Sequence, residues 1–543
     1  MQQSSSRLSL GRRHAVQRSQ AHQTDVIEIS TRLNQAKTVF FIFLLILAPL
    51  PNAFILRDKR QRPTSFESTT MPSIDFSDCS TWAVLITTAL WLTWLYTAFR
   101  SRLLLPPGPT KLPLVGNLFD MPANPWEACM QWSKEYNSDI IHLNLAGTSV
   151  IILSSFKATE ELFEKRSLIY SDRPTFPMIN DLMGWNFALS TKQYGDEWRM
   201  HRRLFSQHFN RVASHSFRHT ERAAAHALLC RLLRDPGNFL GHIRQMAGEF
   251  ILSATYGIDA LPVNDPYISL AAKAVESVSN ASVPGRFLVD SIPILKYVPE
   301  WFPGAHFKRI AREGKLLSQA LRDVPFTEAK RRMKSGASQS CFTTNALRDL
   351  ESGGQSFEES TVKDVAAMID EERMPYVAAV VKEVLRWKNV TPFGVPHFLA
   401  VDDEYRGYHL PAGSLVIGNA WAILHDEILY PDPYIFKPER FLLDGKLNPA
   451  VKDPQAAFGF GRRICPGRHV ATSSIWIAIV SMLAMFDITK EVGEDGHTVE
   501  PSYEYEGGLI CSPVPFKCMI TPRSQDTANT IRATFDENQS HEC

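Results

Sequence analysis

The spacing of apolar residues along the chain predicts a mixture of helices and short strands. The stretches DIIHLNLAG and SVIILSS have the alternation of a β-hairpin. Helical periodicity marks Tyr194–Phe209, Phe217–Leu233 and Val365–Trp387, and short strands are expected around Val395–Ala400 and Tyr405–His409. The apolar run Gly467–Phe486 is long enough for a core helix. The pattern therefore predicts one large, mainly α domain with small β-sheets, of the α+β class.

Two apolar stretches precede this domain, and one of them has the properties of a membrane span. Thr38–Leu56 and Ser80–Phe99 both lack charged residues and are near the length of a membrane-spanning helix. The second has no proline and is followed by Arg100 and Arg102, which favour the cytosolic side. The first contains two prolines and is also followed by basic residues, so two spans would leave one basic stretch on the wrong side. We expect one span, at 80–99, and the first run can also be a buried core helix.

These features divide the chain into five predicted parts. A polar stretch before the first apolar run predicts disorder, and clustered prolines after the span favour a stiff extended linker. The expected parts are an N-terminal extension at 1–79 with a doubtful apolar segment at 38–56, a transmembrane anchor at 80–99, a proline-rich hinge at 100–118, a folded domain at 119–523 and a polar tail at 524–543.

Charge and cysteine content exclude several classes of protein. The 58 Lys and Arg nearly balance the 57 Asp and Glu, so no overall field recruits nucleic acid. The eight cysteines are scattered and form no CxxC pair, which argues against a disulfide framework or a structural zinc site. The cysteines therefore have the pattern of reduced cytosolic thiols, and only Cys465 has an unusual setting.

Cys465 lies in the segment FGFGRRICPGRH, two residues before the start of the apolar helix at Gly467. The positive end of the helix dipole favours a thiolate there, and the glycines allow the backbone to approach a bulky group. Arg463 offers a planar fork of donors suited to a carboxylate. This set suits an axial ligand of a haem iron, whose propionates need cationic partners. The alternative is that Cys465 is a small buried hydrophobe in a glycine-rich turn.

Other motifs favour the haem interpretation. The residues Phe458, Gly461, Arg463, Cys465 and Gly467 have the spacing F-x-x-G-x-R-x-C-x-G, which resembles the haem-binding loop of the cytochrome P450 family. The resemblance extends from about Ser80 to Arg523, and it is greatest for fungal microsomal members. It implies a cytochrome P450-like fold behind a membrane anchor.

The resemblance assigns roles to six further residues. Glu383 and Arg386 match the family's Glu-x-x-Arg pair, and Arg440 in FKPERF matches the arginine that joins this pair in a structural network. By composition alone, Glu383 and Arg386 would be an ordinary i,i+3 surface pair. Trp198 and Arg202 resemble the family's Trp-x-x-x-Arg, which holds a haem propionate, and His397 takes the place of another propionate partner.

The resemblance also implies a reaction and its partners. It implies a haem-thiolate monooxygenase in which heme b is ligated through its iron by Cys465, whose electron donation favours O–O cleavage. One oxygen atom of O2 would enter an apolar small molecule, and the electrons would come from NADPH through a membrane-bound reductase. The site would lie on the cytosolic face of the endoplasmic reticulum membrane. By position, Met178–Leu189, Val390–Val395 and Gly507–Ile510 are expected to line the substrate pocket, although each can be plain core.

One element of the family is missing from the sequence. The family's distal (I) helix carries a Gly-x-Asp/Glu-Thr pattern that relays protons to bound dioxygen, and no segment here has that pattern in that place, so no catalytic residue is assigned. The chain passes from STVKDVAA directly to MIDEERMPYVAAVVKEVLRW, with a join near Ala367 and Met368. A helix crossing a domain of this size needs about 50 Å, whereas Phe357–Ile369 supplies about 20 Å.

Three hypotheses remain open at this stage. The first is a monooxygenase whose sequence lacks a coding segment. The second is a catalytically impaired haem-binding membrane protein that carries a real deletion. The third is an enzyme that rearranges peroxides, as some thiolate-haem relatives do without the distal threonine. Motifs intact on both sides of the join favour the first.

Overall fold

The structure is a computed structural model, and it describes residues 84–89, 91–92, 104–122, 124–283, 285–337, 341–345, 374–506 and 508–540. The chain divides into two units, Met1–Leu103 and Leu104–Cys543. The expected extension at 1–79, the apolar segment 38–56 and the join at Ala367 and Met368 lie outside the described residues.

The described part of the second unit is mainly helical, as the sequence predicts. Its longer helices are α1 (Pro125–Glu135), α2 (Asp196–Phe209), α3 (Arg218–Arg234), α4 (Phe239–Tyr256), α5 (Pro266–Ala281), α6 (His306–Lys334), α7 (Pro375–Trp387), α8 (Ala420–Leu424), α9 (Arg468–Met485) and α10 (Gln525–Ser540). Short helical turns lie at Leu118–Asp120, Phe156–Thr159, Glu160–Lys165, Ser167–Tyr170, Pro177–Leu182, Trp185–Phe187, Ala213–Phe217, Pro236–Asn238, Leu288–Ser291, Pro293–Tyr297, Pro438–Phe441, Gln455–Phe458 and Gly461–Arg463.

The strands are short and form one four-stranded sheet and several pairs. They are β1 (Ile140–Leu145), β2 (Thr148–Leu153), β3 (His397–Phe398), β4 (Asp403–Tyr405), β5 (Tyr408–Leu410), β6 (Leu415–Gly418), β7 (Leu442–Leu443), β8 (Lys446–Leu447), β9 (Phe486–Lys490), β10 (Tyr505–Glu506), β11 (Ser512–Pro513) and β12 (Cys518–Pro522). The sheet has the order β1-β2-β6-β3, in which only β2 and β6 run parallel. The remaining pairs, β4-β5, β7-β8, β9-β12 and β10-β11, are antiparallel.

Local sequence explains where several elements begin and end. Asp265 caps α5 because its carboxylate accepts hydrogen bonds from two backbone amides of the first turn, and Pro266 occupies the first helical position. Helix α4 ends at Gly257, whose left-handed backbone (φ 63°) closes the last turn. One predicted strand, Tyr405–His409, is wrong as a single element: it is a hairpin of β4 and β5. The chain reverses at Arg406 and Gly407, which both have positive φ.

Helix α9 connects the candidate site to the helical core. It packs against α3 and α7, and its first-turn Val470 lies in a buried cluster with Leu228 of α3 and Phe250 of α4. Most of its other residues are only half-buried. The prediction of a core helix is therefore correct for one side of α9 only. Among the described residues, α9 is also the one helix with the length and hydropathy of a membrane span.

The hinge and the C-terminal tail both contact the folded domain, which the sequence did not predict. In the proline-rich hinge, the carbonyl of Pro107 accepts a hydrogen bond from the backbone amide of His142 (2.9 Å), and the amide of Asn117 donates to Asn144. The hinge therefore follows the edge of β1 instead of standing free. In the expected polar tail, helix α10 buries Ala528 and contacts α3, so the folded unit continues beyond 523.

A buried carboxylate joins three segments behind the candidate site. Glu383 and Arg386, on α7, are fully buried, and the guanidinium donates to both carboxylate oxygens (2.8 and 2.9 Å). Arg440 Nε donates to the same carboxylate (3.1 Å), as does the backbone amide of Lys437 (2.8 Å). Arg386 also donates to the carbonyl of Leu424 at the end of α8 (2.9 Å). Glu383, Arg386 and Arg440 are therefore hydrogen-bonded to one another, as in the network that the resemblance implies.

Removing the carboxylate of this network is expected to be severely destabilising. Glu383→Ala leaves two buried guanidiniums without their shared partner, which costs about 3–5 kcal/mol of the free energy of unfolding. A matched control is Asp196→Ala on α2, because Asp196 is exposed and pairs with the half-exposed Arg199 at the same i,i+3 spacing, where little change is expected. Urea unfolding followed by circular dichroism measures both. Equal effects of the two substitutions would contradict the structural role.

Candidate functional site

Two glycines shape the loop that presents Cys465. Gly459 and Gly461 have positive φ values (84° and 54°), which side chains disfavour. A Cβ on Gly461 would lie 2.1 Å from the carbonyl oxygen of Phe163, so the loop can pack against that segment only with glycine here. The expected need for glycine at 461 is therefore steric as well as conformational.

The backbone around Cys465 is fixed by hydrogen bonds from three directions. The amide of Cys465 donates to the carbonyl of Phe458 (2.8 Å), which closes the loop. Arg468 donates to the carbonyl of Cys465 (3.2 Å), and Arg202 Nη1 donates to the carbonyl of Ile464 (2.7 Å). The Cys465 side chain is half-buried, and α9 begins three residues later. This arrangement holds the thiol at the positive end of a long helix.

Arg463 and Trp198 meet beside this loop with unused donors. The Arg463 guanidinium carbon lies 4.4 Å from the centre of the Trp198 ring, and both residues are buried. Arg463 donates to the carbonyls of Ser171 (2.7 Å) and Leu189 (3.2 Å). Its Nη2 and Trp198 Nε1 are buried without a hydrogen-bond partner. Burial lowers the pKa of Arg463 to about 10.

A second buried arginine, Arg173, belongs to the same site and was missed by the sequence analysis. Its Nη1 donates to the carbonyls of Val395 and Pro396 (2.6 Å each), whereas its Nε has no partner. Burial, and then the charge of Arg463, holds the pKa of Arg173 well below its ordinary value. Nothing in a single sequence separates Arg173 from other arginines that precede a proline, because its partners are more than 200 residues away.

His397 lies at the site, but its surroundings favour the neutral ring and not the imidazolium cation. Its Nδ1 donates to the carbonyl of Tyr170 (2.7 Å), and its ring stacks on Phe163 with centroids 4.0 Å apart. Burial and the charges of Arg173 and Arg463 hold the pKa of His397 well below its ordinary value. The neutral ring therefore offers a lone pair at Nε2, and a nearby anion would be needed to favour its protonated form.

The electrostatics of the site call for a bound anion. The guanidiniums of Arg173 and Arg463 are buried, the charge of Arg463 adds to burial in lowering the pKa of Arg173, and three of the site's donors have no partner among the described residues. The carboxylate of Asp172, whose charge acts on both arginines, is already an acceptor for the backbone amides of Arg173 and Tyr194. Buried charges and donors without partners are costly, so a ligand with carboxylates would stabilise this site. The residues present therefore fit a group carrying two propionates.

The structure places the expected site residues in two groups. Trp198, Arg202, His397, Phe458, Gly461, Arg463, Cys465 and Gly467 lie around the loop, whereas Glu383, Arg386 and Arg440 form the separate network described above. Of the expected pocket lining, Met178 and Met183 are fully buried in a core cluster with α5 and α6. Gly507 lies outside the described residues, as does the place of the missing distal helix.

Comparison with a family model gives a match over most of the chain. The model described as Cytochrome P450 matches residues 106–371 and 359–519, so the match consists of two pieces that meet at 359–371. These pieces contain all eleven of the expected site and network residues.

Fungal relatives are similar over nearly their whole length. Cytochrome P450 monooxygenase 98 of Postia placenta is 43% identical over 480 residues, covering 78% of this chain and 92% of the relative. Cytochrome P450 monooxygenase ple1 of Rhodocybe pseudopiperita is 40% identical over 489 residues, covering 81% and 94%. Tryptamine 4-monooxygenase of Psilocybe cyanescens is 37% identical over 485 residues, covering 80% and 95%.

Proposed function

This chain belongs to the cytochrome P450 family, and we propose that it is a haem-thiolate monooxygenase that inserts one oxygen atom of O2 into an apolar small molecule. Its relatives are named cytochrome P450 monooxygenases, which are oxidoreductases, so the enzyme class follows from the family. The observation that carries the proposal is the glycine-shaped loop that holds Cys465 at the start of α9, beside buried donors that lack acceptors.

The residues of the site have distinct roles in this proposal. A haem bound here would supply an iron centre able to activate O2, with Cys465 as its thiolate ligand. Cys465 lies three residues before the start of α9, and the bonds to the carbonyls of Ile464 and Cys465 fix the position of the loop that carries it. Arg173, Arg463 and Trp198 would donate to the propionates, and Arg202 would add positive charge on the same side.

Thiolate ligation by Cys465 predicts a specific spectrum. The purified protein, reduced under carbon monoxide, should show a strongly red-shifted Soret band, because a thiolate donates more electron density to the iron than histidine does. Cys465→Ser should abolish that band. Cys518→Ser, which changes a half-buried cysteine in β12, is the control and should leave it unchanged. A wild-type spectrum typical of histidine ligation would contradict the assignment.

The buried arginines predict opposite effects on the apoprotein and on haem retention. Arg173→Met removes a buried charge that lacks a full set of partners, so the apoprotein should be no less stable, or more stable, to urea. The same variant should transfer haem to apomyoglobin at least about tenfold faster, because a charge-assisted hydrogen bond to a propionate is lost. Arg462→Met is the control, since Arg462 is exposed in the same loop and bonds Tyr194. Unchanged transfer in Arg173→Met would show that Arg173 does not hold the cofactor.

The substrate and the electron source are proposed at the level of class. We propose an apolar fungal secondary metabolite, such as a terpenoid or polyketide, or an aromatic xenobiotic, oxidised with electrons that an NADPH-dependent reductase delivers. The name of the relative tryptamine 4-monooxygenase supports including aromatic substrates in this class.

We also propose that the chain is a single-pass protein of the endoplasmic reticulum, anchored by Ser80–Phe99. Within that stretch the described residues 84–89 and 91–92 are helical, and their large apolar side chains, such as Ile86 and Trp91, are exposed. Exposed apolar helix is suited to lipid.

This topology predicts that the folded domain carries no N-linked glycan, because a cytosolic domain does not meet the glycosylation machinery. The chain has N-glycosylation sequons at Asn280-Ala-Ser282 and Asn389-Val-Thr391. Asn280 is exposed and gives the clean test, whereas Asn389 is 4% exposed and would escape glycosylation in the folded state on either side. A shift in mass on endoglycosidase treatment that disappears in Asn280→Gln would contradict the topology.

A second candidate function is a catalytically impaired haem-binding membrane protein. The alignments favour it for a protein with this sequence. The match to the Postia relative spans 480 positions, whereas 78% of the 543 residues here is about 424, so about 56 aligned positions have no residue in this chain. For the Rhodocybe relative, 81% is about 440 of 489 positions, which leaves about 49. The break in the family match at 359–371 supports locating this gap at the expected join, near Ala367 and Met368.

The exposed faces of α9 support the same conclusion. This helix has no acidic or basic residue between His469 and Met485, yet its side chains between Ala471 and Met482 are only half-buried. A long helix without charged residues over this length is normally more completely buried. About 50 residues are enough for a helix of about 50 Å, at 1.5 Å per residue, with residues left for its connections. Such a segment would supply the missing cover.

Restoring this segment is expected to restore coupled turnover. The chain as written should consume NADPH, with reductase, mainly to release reduced oxygen species, because bound oxygen lacks an ordered proton donor. A version with the relatives' segment inserted between Ala367 and Met368 should form product nearly in proportion to NADPH consumed. Sequencing the transcript across these codons decides whether the gap is real. Coupled hydroxylation by the chain as written would contradict the impaired function.

A further inference from the structure

Three serines in the described part of the chain share one local charge pattern, and the fold distinguishes them. Ser206, Ser214 and Ser335 each have an arginine three positions earlier in the chain. Protein kinases select substrates by such charge patterns, because an arginine at a fixed distance from the acceptor hydroxyl pairs with acidic groups of the kinase. Ser214 is only 6% exposed, so its hydroxyl is out of reach of a kinase, whereas Ser206 and Ser335 are exposed.

Ser335 differs from Ser206 in its backbone. Helix α6 ends at Lys334, so Ser335 lies just beyond it, and Gly336 then turns the chain away with a positive φ of 73°. Ser206 lies inside α2, which continues to Phe209. A kinase takes up its substrate segment in an extended form, and the end of a helix opens more easily than its interior. Ser335 is therefore the more accessible acceptor.

The last turn of α6 carries a cluster of cations before Ser335. Four of the five residues at 330–334 are Lys or Arg. The side chain of Arg331 is 68% exposed, and Arg331 and Arg332 both pair with the carboxylate of Glu328 (2.7 and 3.0 Å). Cations in a last turn also stabilise a helix through its dipole. The charge alone is therefore ambiguous, and it is the exposed hydroxyl beyond the helix end that selects this site.

Arg332 also links the end of α6 to the end of α4. Its Nη1 donates to the carbonyl of Gly257 (3.2 Å) and lies 3.7 Å from the carboxylate of Asp259. The Ser335 hydroxyl donates to the backbone carbonyl of Arg332 (3.0 Å), so a phosphate on this oxygen would be near that residue. A phosphate carries up to two negative charges and competes for guanidiniums, and at a helix C-terminus it also opposes the dipole. Both effects weaken the link between α4 and α6.

From these features we propose that Ser335 is a phosphorylation site for a kinase that selects arginine three positions before the acceptor, and that the phosphate releases Arg332 from α4. The Ser335 oxygen forms a bond to the γ-phosphorus of ATP, the bond from that phosphorus to the ADP oxygen breaks, and the hydroxyl proton is released. The kinase supplies ATP as the donor. This site is independent of haem and goes beyond the monooxygenase proposal.

The test incubates the full chain with ATP and calmodulin-dependent protein kinase II, which has this arginine preference, and locates the phosphate by tandem mass spectrometry. Ser335 should be labelled at least about tenfold more than Ser206, because opening a helix interior costs more than opening a helix end. Ser335→Ala should remove the main label. Arg332→Gln should reduce the label on Ser335 at least about tenfold, since the recognised charge is lost. Arg203→Gln, at the same distance from Ser206, is the matched control and should leave the label on Ser335 unchanged.

A second readout tests the release of Arg332. Hydrogen exchange should be faster at 253–259 and 328–334 in the phosphorylated chain than in the same sample after phosphatase treatment. Kinase treatment of Ser335→Ala should leave exchange in both segments unchanged. No label on Ser335 in the native chain, equal or greater labelling of Ser206, full labelling in Arg332→Gln, or unchanged exchange at 253–259 after phosphorylation would each overturn the proposal.

Discussion

The fold depends on one buried carboxylate. Glu383 accepts hydrogen bonds from Arg386 on its own helix, from Arg440 and from the backbone of Lys437, and Arg386 continues to the end of α8. Because a buried ion pair is tolerated only when every partner is in place, this carboxylate fixes α7 and the segment around Arg440 relative to one another. The chain that follows α7 leads to Val395 and His397, which hydrogen-bond Arg173 and Tyr170. The network therefore also positions this side of the Cys465 site.

The Cys465 site has the opposite electrostatic character. The network has a carboxylate at its centre, whereas the cofactor site has two buried guanidiniums, of Arg173 and Arg463, and donors that no protein group accepts from. Such an arrangement is unfavourable by itself and becomes favourable when an anionic group binds. The protein therefore supplies buried positive charge and hydrogen-bond donors in a place where a bound anion would stabilise them. Burial, and then the charges of the same arginines, lowers the pKa of His397.

Helix α9 is only half-buried along most of its length, and this bears directly on function. A helix with few polar residues that is only half-buried is incomplete as a core element. The same helix begins at Arg468 and carries the Cys465 loop on its N-terminal side, so whatever covers it also borders the cofactor. An absent segment here would change solvent access to the site more than it would change the loop itself. Under the proposal of an impaired enzyme, the cofactor motifs would therefore be intact although the oxygen chemistry is lost.

The sequence alone determined the helical class, the β1–β2 hairpin, the position of α9 and the Cys465 loop, because each depends on residues near one another in the chain. It did not resolve the turn at Arg406 and Gly407, which divides one expected strand into two. Tertiary structure decided which polar residues act together. Arg173 looks ordinary in the sequence, and it stands out only when the fold buries it and leaves its Nε without a partner among the described residues. That information lies in contacts between residues hundreds of positions apart, which local patterns do not encode.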